Sequence, residues 1–148
     1  MKMMKMTMLT ITAFLVVGAS YAAAQTQAVT HVDHEKMAAA LAKGGVVVTA
    51  SNLIVQGASR TAPGQVEVHD KETDVLYIVD GEATFVTGGT MVGGRTTGPG
   101  QIRGTDIKGG ASQHLGKGDV IVVQAGTPHW FKEVPKSVNY LVVKVLKQ

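Results

Sequence analysis

Glu67-Val68-His69-Asp70-Lys71-Glu72-Thr73-Asp74-Val75-Leu76-Tyr77-Ile78-Val79-Asp80-Gly81 is the stretch that decides the fold. Its first residues alternate apolar and polar with the period of a strand, so Glu67 and His69, two apart, point to one face. Asp74 opens a second strand and shares its face with Leu76 and Ile78, residues of the kind that fill a barrel interior. A later stretch, Gly118-Asp119-Val120-Ile121-Val122-Val123-Gln124-Ala125-Gly126-Thr127-Pro128-His129-Trp130-Phe131, is built in the same way. There His129 and Phe131 share a face, and Trp130 points away from them. The Trp130 ring is expected to pack outside the barrel, under an N-terminal helix or a second subunit.

Further strands are predicted on either side: Val46 to Thr49, Leu53 to Val55, Val66 to His69, Val75 to Val79, Ala83 to Thr87, Val120 to Val123 and Val138 to Leu146. Many short strands divided by Gly- and Pro-marked turns indicate an antiparallel sandwich or barrel rather than βαβ units. One short helix precedes them. Asp33 stands before His34-Glu35-Lys36-Met37-Ala38-Ala39-Ala40-Leu41-Ala42-Lys43, with Met37 and Leu41 spaced i, i+4, and Gly44 closes the run. Residues 88–110 break the strand rhythm with nine glycines, Pro99, Arg95 and Arg103. A long loop is expected there, with Gly88 to Gly94 as a hairpin tip.

Residues 1–24 are set aside from the fold. Lys2 and Lys5 precede the apolar run Leu9 to Ala19, and Ala22-Ala23-Ala24 offers small residues for a signal peptidase. Cleavage before Gln25 is expected, with cleavage after Ala22 as the alternative. The apolar run is shorter than the ~20 residues a spanning helix needs. Removing these 24 of 148 residues leaves 124, enough for one domain, and lowers the formal net charge from +3 to +1. The organisation read from this is a signal peptide at 1–24, a helical segment at 25–44 and a β-barrel domain at 45–148. With so small a charge excess, nucleic acid is not an expected partner, and no membrane association is expected after cleavage. The chain has no Cys. Disulfides, thiolate chemistry and Cys-based zinc sites are therefore excluded.

Taken together, the two quoted stretches resemble the paired motifs of the cupin superfamily. The first family motif runs G-x5-H-x-H-x3,4-E-x6-G, and His69, Asp74 and Gly81 fall at its second His, its acid and its closing Gly. The second runs G-x5-P-x-G-x2-H-x3-N, matched by Gly118, Gly126 and His129. Thr61 stands for the first Gly, Glu67 for the first His, Asp74 for Glu, Gln124 for Pro and Glu133 for Asn. The resemblance spans roughly residues 45–146 and implies an all-β, conical cupin barrel, a double-stranded β-helix of jelly-roll type. Carried over position by position, it places Glu67, His69, Asp74 and His129 around one point as metal ligands. Two imidazoles and two carboxylates suit Mn²⁺, Fe²⁺ or Zn²⁺.

Two carboxylates would cancel the charge of a divalent ion, so such a site should acidify water less and attract anions less than a three-His, one-Glu shell. Glu67 and Asp74 are then the expected proton acceptors. Glu72, three residues after His69, is the alternative ligand to Asp74. His114 is expected at the surface, and His31 and His34 face solvent at the helix start. Arg95 and Arg103 are expected to be solvated, though either could reach over the mouth to hold an anion. Three functions stay open: a metal-dependent oxygenase, isomerase or lyase acting on a small molecule, a small-ligand-binding cupin without catalysis, and a structural barrel with a vestigial pocket. A periplasmic or secreted location follows from the leader. An edge strand and the exposed Val46 to Val48 run favour a homodimer, with the helix lying over the partner.

Overall fold

The computed structural model describes residues 28–147; the expected signal segment at 1–24 lies outside the described residues. Helix α1 (His34–Lys43) forms where predicted, because Asp33 caps it, its side chain accepting from the Lys36 N–H at 2.8 Å. Gly44, at φ 76°, ends it. None of the described helices is long and apolar enough to cross a membrane.

Twelve strands follow among the described residues, and one of them organises the rest. Strand β4 (Glu72–Thr87) is 16 residues long and belongs to both halves of a curled antiparallel sheet. Its first part, Glu72 to Gly81, pairs with β12 (Val138–Leu146) on one side, and its Asp74 to Tyr77 section pairs with β10 (Val120–Val123) on the other. Its second part pairs with β9 (Ala111–Gly116) and β11 (His129–Glu133). The sequence reading divided β4 into two strands at Gly81. The chain does turn there, at φ 78°, but the strand runs on through the turn. A side chain at Gly81 would place its Cβ 2.0 Å from the Ser137 carbonyl oxygen.

The first half of the sheet continues through β2 (Leu53–Arg60) to the edge strand β1 (Gly45–Thr49). Helix α1 lies across β2 of its own chain, close enough that a Cβ on Gly57 would sit 2.4 Å from the Ala40 backbone. The second half continues through β3 (Val66–His69) and β7 (Gln101–Gly104) to β6 (Arg95–Gly98). Between the halves lies the core, built on Ile78, Phe85, Phe131, Val138 and Tyr140. Phe85 and Ile78 are wholly buried.

Residues 88–110 are not the loop that their composition suggests. They hold β6 and β7, and also β5 (Thr90–Val92) and β8 (Asp106–Lys108), which form a separate two-stranded sheet. Met91 lies over Gly104, where a Cβ would meet its Cγ at 2.5 Å, and Gly104 is the register partner of Val66. The small sheet thus covers the outer face of β3. The glycines here mark turns and close approaches between strands, so apolar alternation, the usual sign of a strand, is missing.

Candidate metal centre

Strand period and register bring the four sequence-predicted residues to one place. Glu67 and His69 share the inner face of β3, Asp74 lies near the start of β4, and His129 opens β11 directly opposite Glu67. His69, Asp74 and His129 are buried, and Glu67 is half-buried. His69 Nε2 lies 3.3 Å from Glu67 Oε2 and 3.5 Å from Asp74 Oδ2. His129 Nε2 lies 3.9 Å from each of the same two oxygens. Such separations suit donors gathered round one first-row ion at bond lengths near 2.0–2.2 Å.

Hydrogen bonds aim the two imidazoles. His129 Nδ1 faces the Thr127 carbonyl at 3.0 Å, an oxygen that can only accept, so Nδ1 carries the proton and Nε2 a lone pair. His69 Nδ1 lies 2.6 Å from Gln101 Oε1. The orientation of that amide is fixed in turn, because Gln101 Nε2 donates to Glu72 Oε1 at 2.9 Å. His69 therefore also donates from Nδ1 and turns a bare Nε2 inward. Among the described residues this Nε2 is buried without a hydrogen-bond partner. A buried unpaired acceptor is costly, and a divalent cation between the lone pairs would remove the cost. The donor set thus fits the Mn²⁺, Fe²⁺ or Zn²⁺ that the sequence resemblance implies. Burial pushes the His129 imidazolium below its ordinary pKa, so the ring is neutral, as ligation requires.

Glu72, the alternative ligand, forms a second group of donors with His69 and Asp74, all within 4.8 Å of one another, but approaches His69 from the other ring nitrogen. Its Oε2 is 4.0 Å from His69 Nδ1, on the side of the ring away from the converging donors. It accepts instead from Lys144 Nζ at 2.8 Å. The same ammonium donates to Asp74 Oδ1 at 2.9 Å and Oδ2 at 3.0 Å. Burial alone would lower the Lys144 pKa, but the Asp74 charge and the Glu72 hydrogen bond outweigh it and hold the group above the ordinary lysine value. For Glu72 burial likewise opposes ionisation and Lys144 outweighs it, leaving the carboxyl below its usual range.

Arginines hold the remaining carboxylate. Arg103, opposite Glu67 in the β3–β7 register, makes an ion pair through Nη1 with Glu67 Oε1, and Arg60 Nη2 approaches the same oxygen at 3.4 Å. Arg60 also donates through Nε to the Tyr140 hydroxyl at 2.9 Å and lies over the Phe131 ring. Burial again works against the Glu67 charge, yet the positive charge of Arg103 beside it holds its carboxyl far below the usual range. One Glu67 oxygen thus serves the arginines while the other faces the histidines. A carboxylate stabilised so strongly in its ionised form is a good ligand and a weak base.

These placements correct several expectations. Arg103 is half-buried against Glu67 rather than solvated, whereas Arg95 is exposed. Trp130 does not pack under α1 but is half-buried and donates from Nε1 to the Gly64 carbonyl at 2.7 Å. His114 is exposed beside Glu82, and His31 and His34 are exposed as expected. The charge count changes most. Arg60, Arg103 and Lys144 join Glu67, Glu72 and Asp74 in lining a cavity of about 650 Å³, which the count from two carboxylates alone did not foresee.

A family model described as cupin matches residues 23–147. No curated protein matches the chain. Among solved structures, BH2720 from Bacillus halodurans aligns with a TM-score of 0.51 at 15% identity, covering 70% of this chain and 69% of that one. An uncharacterised protein with a double-stranded β-helix domain from Klebsiella pneumoniae aligns at 0.49 and 16% identity, over 70% of this chain and 75% of that one. The DMSP lyase DddQ from Ruegeria pomeroyi aligns at 0.47 and 18% identity. That alignment covers 65% of this chain and spans only 39% of the lyase. At such identities the likeness is one of fold.

Proposed function

The chain belongs to the cupin family, and from that premise we propose that it is an exported divalent-metal protein acting on a small organic molecule. The observation that carries this reading is the unpaired, buried Nε2 of His69, aimed at the point where His129, Glu67 and Asp74 also converge. His69 and His129 supply the nitrogens, and Glu67 and Asp74 the oxygens. When bound, an ion of the Mn²⁺, Fe²⁺ or Zn²⁺ type supplies Lewis acidity and open coordination positions. Gln101 and the Thr127 carbonyl fix the ring orientations, and Lys144 fixes Asp74.

A reaction of oxygenase, isomerase or lyase type would take its proton acceptor from Glu67 or Asp74, the acids nearest the donors, with Glu67 made a weak base by its arginines. Binding without turnover is the second reading, favoured by one observation: every acid of the cavity is already paired with a cation. Glu67→Gln separates these roles. As a ligand, Glu67 should take metal affinity down by roughly 10- to 100-fold when its charge is removed. Retained metal with lost oxygen uptake on simple enolic or phenolic compounds would assign it as the base instead. Elemental analysis of the wild type, purified without chelators, comes first. A wild type that carries no metal and regains none from Mn²⁺, Fe²⁺ or Zn²⁺ would replace the enzyme reading with the second.

Export to the periplasm or medium rests on the segment at 1–24, and dimerisation on the outer edge of β1, unpaired among the described residues, where Val46 is 55% exposed. Native mass spectrometry of the exported protein should give a dimer of chains beginning at Gln25. A mass that retains Met1 would refute export. A monomer at micromolar concentration would refute pairing.

A further inference from the structure

The charges that face the cavity balance in pairs. Arg60 and Arg103 meet Glu67, and Lys144 meets Glu72 and Asp74, so three cations face three carboxylates. A divalent ion drawing on Glu67 Oε2 and Asp74 Oδ2 leaves this balance in place and adds its own two positive charges. The site sits in a hollow between two sheet halves, with His69 and His129 almost wholly buried. Uncompensated charge in such surroundings is expensive, and the chain offers no further acid among the residues that line the cavity. What offsets that charge has to come from outside.

Shape narrows the choice. The same cavity is lined by Ile54, Ala58 and Val142 beside its charged groups, and its volume of about 650 Å³ lies in the range of small-molecule sites. We infer that the metal-loaded cavity selects small organic anions, with a carboxylate head toward the ion, Arg60 and Arg103 and an apolar body against Ile54, Ala58 and Val142. This rests on the metal reading above. It also reverses the lower anion preference that two carboxylates alone imply, because the three cations offset all three carboxylates of the cavity.

Reciprocal coupling follows: the anion tightens the metal as the metal tightens the anion. Benzoate and its neutral isostere benzamide are suitable probes, since both fit an apolar wall and a monocarboxylate chelates free Mn²⁺ only weakly. Mn²⁺ titrated calorimetrically into the metal-free, full exported protein should bind about tenfold more tightly with saturating benzoate, and no more than about twofold with benzamide. Arg103→Gln should bind Mn²⁺ more weakly, because Arg103 holds Glu67, and should lose most of the benzoate effect on that binding. Equal effects of benzoate and benzamide on the wild type would overturn the inference and leave the metal reading standing. Failure of the wild type to bind Mn²⁺, Fe²⁺ or Zn²⁺ under any condition would remove both.

Discussion

His129→Ala is expected to lower divalent-metal affinity by at least about 100-fold, more than the loss typical of removing a partner behind a ligand. His129 supplies one of two nitrogens, and no other described histidine can reach the place, since His114 is exposed beside Glu82 on another strand. Water can fill the gap but brings neither the basicity of imidazole nor its fixed aim. The substitution also empties a buried volume next to Phe85, whose ring centroid lies 6.1 Å from that of His129. A thermal melt must accompany the metal measurement for that reason. His114→Ala is the control, expected to keep wild-type metal. If folded His129→Ala protein binds metal as the wild type does, the proposed centre is wrong.

Gly81→Val should cost about 3 kcal/mol or more, and so roughly 10 °C in melting temperature. Two effects add. At φ 78° a branched residue is strained, at about 1–3 kcal/mol. The new Cβ would also stand 2.0 Å from the Ser137 carbonyl oxygen, and backbone cannot yield as a side chain can, so overpacking adds about 1–3 kcal/mol. Gly118 separates the two, since its φ is 93° but nothing lies within 4 Å of its Cβ position. Gly118→Val should therefore show the strain alone. Equal losses at the two positions, measured by urea unfolding, would mean that the contact with Ser137 does not matter.

Much of this architecture could be read from residues close together in the chain. Val66 to His69 and Val120 to Val123 form the strands expected of them, and the inward faces of Glu67, His69, Asp74 and His129 follow from a period of two. Partners supplied by distant pairing were harder to see. Gln101 and Arg103 lie in a glycine-rich segment with no apolar alternation, and only the register with β3 reveals their places. Arg60 was hidden because β2 runs five residues beyond Val55, where the apolar run ends. Lys144 did leave a signal. It continues the buried face of Tyr140 and Val142 at the same spacing of two, and a cation at such a position needs an acid opposite.

Strands β3 and β7 pair so that Arg103 stands across from Glu67 and Gln101 across from His69. Both orienting partners thus travel together, fixed by a single alignment of two short strands rather than by two independent placements. Sliding β7 by one residue would turn Gln101 and Arg103 to the opposite face at once. Insertions in the turns at either end of β7 would be tolerated only in so far as they preserve that alignment. Variation in this part of the chain is therefore expected to be all or nothing: the hairpin exchanged whole, with both partners or neither, and the donors on β3 and β11 left in place.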